Sequence, residues 1–176
     1  AVMASLLAIR HFKGKFARIA GINPDYTYGR NTWTTFTALL KKFGIEHTVV
    51  AEQWIKPGTM DLTSNVAALK AAAPDLIFTS MVFADLPVFM RQAHNMGLTD
   101  GVKFVVPAAG WQQTSRKKEF TPENIVFGHS TLYFANPAAS PLQKSFVKWY
   151  FDKYTVYPHW ECDRAYYCLH LYKAAV

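Results

Sequence analysis

Short apolar runs that read as strands alternate with longer segments in which apolar residues recur at helical spacing, and this alternation is the strongest constraint on the fold. Phe16–Ile22 is strand-like, and Gly29–Phe43 reads as a helix with Trp33, Phe36, Leu39, Leu40 and Phe43 on one face. Gly44 is its natural stop. The order then repeats. A strand over 46–54 ends at Lys56-Pro-Gly58, and Asp61 is placed to cap a helix whose Leu62, Val66, Leu69 and Ala73 form one stripe. Pro74-Asp75 opens a short strand at 76–79, followed by a helix over 84–96, a strand over 102–106, a polar stretch, and a strand over 125–127. Helices over 142–154 and from about residue 160 complete the chain. Strands alternating with helices in this way predict parallel strands joined by right-handed crossovers. Strand interiors apolar on both faces predict an α/β fold, an open parallel sheet with helices on both sides.

In such a sheet ligands sit beyond the carboxyl ends of the strands. Four stretches meet that description: Pro24–Tyr28, Ser80–Phe83, Pro107–Trp111 and Gly128–Tyr133. They carry Tyr26, Tyr28, Thr79, Ser80, Phe83, Trp111 and Tyr133. Aromatics with a few hydroxyls suit a pocket that encloses an organic molecule and fixes it with sparse hydrogen bonds. The same rings could instead roof the sheet or face a neighbouring domain. Convergence of Tyr28, Phe83 and Trp111 from three loops favours the pocket.

Reactive motifs do not appear. No GxGxxG follows a strand, and neither GxxxxGK[ST] nor GxSxG occurs. The six histidines lack HxxxH or HExxH spacing, so neither a metal nor a cofactor is expected. His129 and Ser130 are adjacent at a strand end, where they point to opposite faces. Asp25 is expected to shape the turn. Cys162 and Cys168 lie on different helical turns and are expected as buried, unbridged thiols. The formal charge of +7 is scattered, and no basic stripe with a nucleic-acid motif accompanies it, so no nucleic-acid partner is expected. The apolar runs fall well short of the roughly 20 residues that span a bilayer. AVMASLLAIRHF opens without a cap and CDRAYYCLHLYKAAV runs on without a stop signal, as expected of a fragment of a longer protein.

The ordered set DYTYGR, KKFGIE, GTMDLTSNVAALKAAAPDLIF, FMRQAHNMGL and FVVPAAGW resembles the type I periplasmic solute-binding proteins of ABC importers, in the branch for branched-chain amino acids and amides. The likeness runs from about residue 13 to the end and centres on the second of the family's two lobes. It implies residues 1–12 as a helix of the other lobe, 13–157 as the second ligand-binding lobe, and 158–176 as a crossover returning to the first. It further implies a non-catalytic protein that binds a small organic ligand by hinge closure and hands it to a membrane permease. Such a protein is a monomer, periplasmic or tethered outside the membrane. Tyr28 takes the position of the family's ligand-facing tyrosine, and Phe83 that of its cleft residue after the third strand. Trp111, Ser80 and Tyr26 are the remaining expected contacts. Ala108 stands where amino-acid binders carry the acid that holds the ligand ammonium. Since a buried ammonium without a counter-charge is costly, an apolar or aromatic carboxylate is expected ahead of a free amino acid. A sensing domain of the same fold is the alternative, and an α/β enzyme the more distant one.

Overall fold

The computed structural model describes residues 2–108, 118–128 and 138–176 and divides into two compact units, 1–129 and 130–176. In the first, helix α1 (Val2–Phe12) precedes strand β1 (Arg18–Pro24), helix α2 (Thr27–Lys42), strand β2 (Thr48–Ile55) and helix α3 (Thr63–Ala71). Strand β3 (Leu76–Phe78), helix α4 (Asp85–Asn95), strand β4 (Lys103–Val106), a 3₁₀ turn (Lys118–Phe120) and strand β5 (Ile125–Phe127) follow. The second unit contributes helices α5 (Pro141–Tyr154) and α6 (Trp160–Ala175).

All five strands are parallel, in the order β2-β1-β3-β4-β5. Alternation along the strands divides the core between the two faces. Ile19, Leu76, Phe78, Val105 and Val126 join Ala8, Ile9 and Phe12 of α1 and Trp33, Phe36 and Leu40 of α2. Ala20, Ile22, Ile77, Phe104 and Val106 point the other way, onto Val66 and Leu69 of α3 and Phe89 and Ala93 of α4. Phe36 stacks on Phe78 at 4.7 Å between ring centroids. The expected double-sided sheet is therefore present. Helix α1, which the sequence reading gave to another lobe, packs on this sheet.

Some local expectations change. Edge strand β2 is only partly buried, because Glu52 and Gln53 have no outer strand to cover them. Asp61 does not cap α3 as N-cap; that position is Leu62, and the Asp61 carboxylate accepts from the Thr63 amide at 3.0 Å. Ala73 leaves the apolar stripe: it follows the end of α3, exposed, with φ 46°. Its carbonyl and that of Ala72 accept from the Arg18 guanidinium at 3.0 and 2.7 Å. Cys162 and Cys168 are both free, as expected, but Cys162 is only half-buried and Cys168 is exposed, since α6 turns it away from packed neighbours.

Within the second unit, Ser140 caps α5 by accepting from the Gln143 amide, with Pro141 just inside the helix. His159 caps α6. Phe146 stacks on Tyr166 at 4.3 Å, joining the two helices.

Candidate ligand-binding site

The strand order reverses direction at β1. The chain moves from β1 outward to β2, then returns past β1 to β3, leaving a crevice at the carboxyl ends of β1 and β3, the place where open α/β sheets take ligands. Two internal features fix this end. Asn23, buried at the end of β1, accepts through Oδ1 from the Ser80 amide at 2.9 Å and from the Ser80 hydroxyl at 2.7 Å, tying β1 to β3. Gly29 lets α2 start directly on the strand: a Cβ there would lie 2.0 Å from the Pro24 carbonyl oxygen. The glycine of the YG pair is thus a steric requirement of the turn.

In the crevice lies an open hollow of about 450 Å³ lined by Pro24, Tyr26, Pro57, Val82, Phe83, Ala84 and Asp85. The volume falls within the usual range for sites that hold small organic molecules, about 300–1,000 Å³. Phe83 is 63% exposed and holds φ at 52°. A left-handed backbone costs a residue with a side chain about 1–2 kcal/mol, and here that strain displays an aromatic ring to solvent. Tyr26 is 43% exposed and stacks on Tyr28 at 6.0 Å. Tyr28 is half-buried and does not line the hollow; burial pushes its hydroxyl above the usual phenol range, with Tyr26 adding to the effect. The phenol therefore stays neutral at physiological pH.

Asp25 does shape the turn. Its amide donates to the Ile55 carbonyl at 2.7 Å, and its carboxylate accepts from Arg30 Nε at 2.9 Å. The Arg30 guanidinium in turn lies 4.4 Å from the Trp54 ring centroid. Two other expected contacts lie away from the hollow. Ser80 is 0% exposed and its proton is directed to Asn23, because the β1–β3 tie needs it. Ala108 follows β4, half-buried, outside the hollow. Trp111 and Tyr133, and the His129–Ser130 pair, lie outside the described residues. The structure thus brings together Tyr26 and Phe83 from the sequence-derived set.

Three wall residues escaped the sequence reading: Pro57, from the β2–α3 loop, Ala84, at the N-cap of α4, and Asp85, from its first turn. Whereas Ala108 follows β4, Asp85 places a carboxylate on this wall after β3. Its only local signal was an acid at a helix start, which ordinarily reads as a favourable interaction with the helix dipole. Among the described residues no group of three His, Cys, Asp or Glu side chains could hold a metal ion, and no helix is long and apolar enough to cross a membrane.

None of the curated proteins compared matches the chain. Solved structures do. An amino acid ABC transporter substrate-binding protein from Pseudomonas fluorescens Pf-5 superposes with a TM-score of 0.75 at 19% identity, covering 90% of this chain and 41% of that one. A periplasmic binding protein type 1 from Bordetella pertussis Tohama I gives 0.65 at 26% identity, over 87% and 38%. An ABC transporter solute-binding protein from R. palustris in complex with 4-hydroxybenzoate gives 0.51 at 26% identity, over 58% and 27%. The chain therefore spans at most about two fifths of the length of these three neighbours. The family described as periplasmic binding protein matches residues 2–176, essentially end to end. Together with the 2-1-3-4-5 sheet and the hollow at its switch point, this match places the chain in the periplasmic binding protein family, with the type I fold of ABC-transporter substrate-binding proteins.

Proposed function

We propose that this chain is a ligand-binding lobe of an importer's solute-binding protein, and that it takes a small organic acid with an apolar or aromatic body. The observation that carries the reading is the hollow between Tyr26 and Phe83, where a strained backbone holds an aromatic ring in solvent. Rings and prolines on its wall suit a flat apolar body. Asp85 suits a donor on the solute, such as a phenolic hydroxyl or an ammonium. Tyr28, beside Tyr26, offers a neutral hydroxyl at the rim.

The likeness to a 4-hydroxybenzoate-bound protein supports an aromatic acid bearing a hydroxyl. Asp85 also supports a second reading, an amino acid whose ammonium meets that carboxylate. On either reading the solute is bound unchanged. Residues 13–157 belong to one lobe with α1 beside them, and residues 158–176 lead toward a second lobe. Ligand contacts made from both lobes favour the closed form, so binding drives hinge closure. A membrane permease recognises that form outside the cytoplasm, and the binding protein acts as a monomer. Ala108, which follows β4, and Trp111 are the remaining proposed contacts.

Calorimetry with benzoate, 4-hydroxybenzoate and leucine tests the reading. Saturable binding of the aromatic acids, stronger than that of leucine, is the expected outcome. Tight leucine binding with no response to either aromatic acid contradicts it.

A further inference from the structure

The motifs GTMDL and RQA, separate in sequence, meet in the structure. The Gln92 carboxamide bridges α4 to the β2–α3 loop: its Oε1 accepts from the Leu62 amide at 2.7 Å, and its Nε2 donates to the Met60 carbonyl at 2.7 Å. About two turns earlier on the same helix, Asp85 Oδ1 accepts from the Gly58 amide at 3.1 Å. Three main-chain groups of the loop, at residues 58, 60 and 62, are therefore held by two side chains of α4. Between them and β2 lies Pro57, which lines the hollow together with Phe83. Met60, in the same loop, is exposed, so apolar burial of that residue does not hold the loop in place.

We propose that Gln92 and Asp85 are positioning residues that hold the β2–α3 loop at a fixed distance from Phe83 and so set the width of solute the hollow accepts. The inference rests on the hollow being the solute site. A loop of this length without side-chain anchors samples many conformations, and fixing it beforehand removes an ordering cost from binding. Gln92 is suited to the task because a carboxamide carries donor and acceptor together, matching one carbonyl and one amide at once. Glutamate at that position keeps the acceptor for Leu62 and loses the donor for Met60.

The test compares Gln92→Ala, Gln92→Glu and Asp85→Ala with the unaltered full chain by two readouts, amide hydrogen exchange over residues 56–62 and calorimetry with 4-hydroxybenzoate and the wider 6-hydroxy-2-naphthoate. Gln92→Ala is expected to raise exchange at the Leu62 amide about tenfold and Asp85→Ala to do so at Gly58, with exchange in the β1 and β3 core unchanged. Gln92→Ala is further expected to weaken 4-hydroxybenzoate about tenfold while leaving the naphthoate within about threefold, and Gln92→Glu to fall between. An unchanged preference between the two acids in Gln92→Ala, with the unaltered chain binding both, overturns the positioning role alone. If the unaltered chain binds neither acid, the reading of the hollow falls and the width claim with it. A variant that loses the core exchange pattern is replaced in the comparison by Gln92→Glu, whose affinity ratio then decides.

Discussion

At the amino edge of the sheet lies a hollow of about 390 Å³, against about 450 Å³ at the carboxyl edge, yet the two differ in what their side chains do. The amino-edge hollow is lined by Lys70, Asp75, Asp100 and Lys103 among others, and two of these charges, Lys70 and Asp75, hold the protein's own backbone. Lys70 Nζ donates to the Met96 carbonyl at 2.7 Å. Asp75 accepts from the amides of Ala17 and Arg18 at 2.9 and 2.8 Å, fastening the start of β1. The carboxyl-edge hollow has Tyr26, Phe83 and Pro57 lying open, with backbone strain at Phe83. Lys70 and Asp75 are committed to the chain's own backbone, whereas the exposed rings at the carboxyl edge remain available. One sheet therefore carries a stapled edge and, on the proposed reading, a receptive edge.

The largest expected effect probes the junction that makes the receptive edge possible. Gly29→Ala drives a Cβ into the Pro24 carbonyl and should destabilise the fold by about 3 kcal/mol, read as a lower urea midpoint. An unchanged midpoint would remove the steric account of the YG pair. Next, Phe83→Gly separates strain from function. Relief of the positive φ should stabilise the chain by about 1 kcal/mol, while affinity for 4-hydroxybenzoate falls tenfold or more. Loss of stability on this change would mean that the ring packs as part of the core.

At the stapled edge, Asp75→Ala should cost about 1 kcal/mol after allowance for solvent screening of a partly exposed carboxylate, and should leave solute affinity unchanged. The same staple predicts a pH dependence. Hydrogen bonds from the Ala17 and Arg18 amides, in that order, outweigh desolvation and hold the Asp75 carboxyl below its usual range, with the nearby charges of Lys103 and Arg18 adding to the effect. A depressed folded-state pKa means that the contribution is complete above the unfolded value, about 3.9, and is lost as pH falls through the lower folded value. The difference in urea midpoint between the unaltered chain and Asp75→Ala should therefore persist from pH 7 to about 5 and shrink below about 4. The smallest effect is expected for Arg30→Ala, which removes an exposed ion pair with Asp25 and the contact with Trp54, at about 0.5 kcal/mol.

The alternation of strands and helices was legible because both faces of the sheet are covered, so Leu76–Phe78 and Phe104–Val106 are apolar throughout. The place of Phe83 and Tyr26 on the hollow was legible because both follow strand ends. Ser80 was read as a ligand contact since its distance from Asn23, 57 residues away in sequence, has no local signature. Pro57 and Asp85 were missed for the same reason: their meeting depends on a loop from one crossover closing over the helix of the next. Ala73 looked like the end of an apolar stripe because periodicity carries no mark of where a helix stops, whereas Arg18 holds that stop from another strand.

The account depends most on the assignment of function to one edge of the sheet. A two-dimensional NMR titration with 4-hydroxybenzoate reads both edges at once. Saturable shifts at Tyr26, Phe83 and Asp85, with Gly97–Lys103 unmoved, are predicted. Shifts confined to Gly97–Lys103, or none at Tyr26 and Phe83 at saturation, would contradict it.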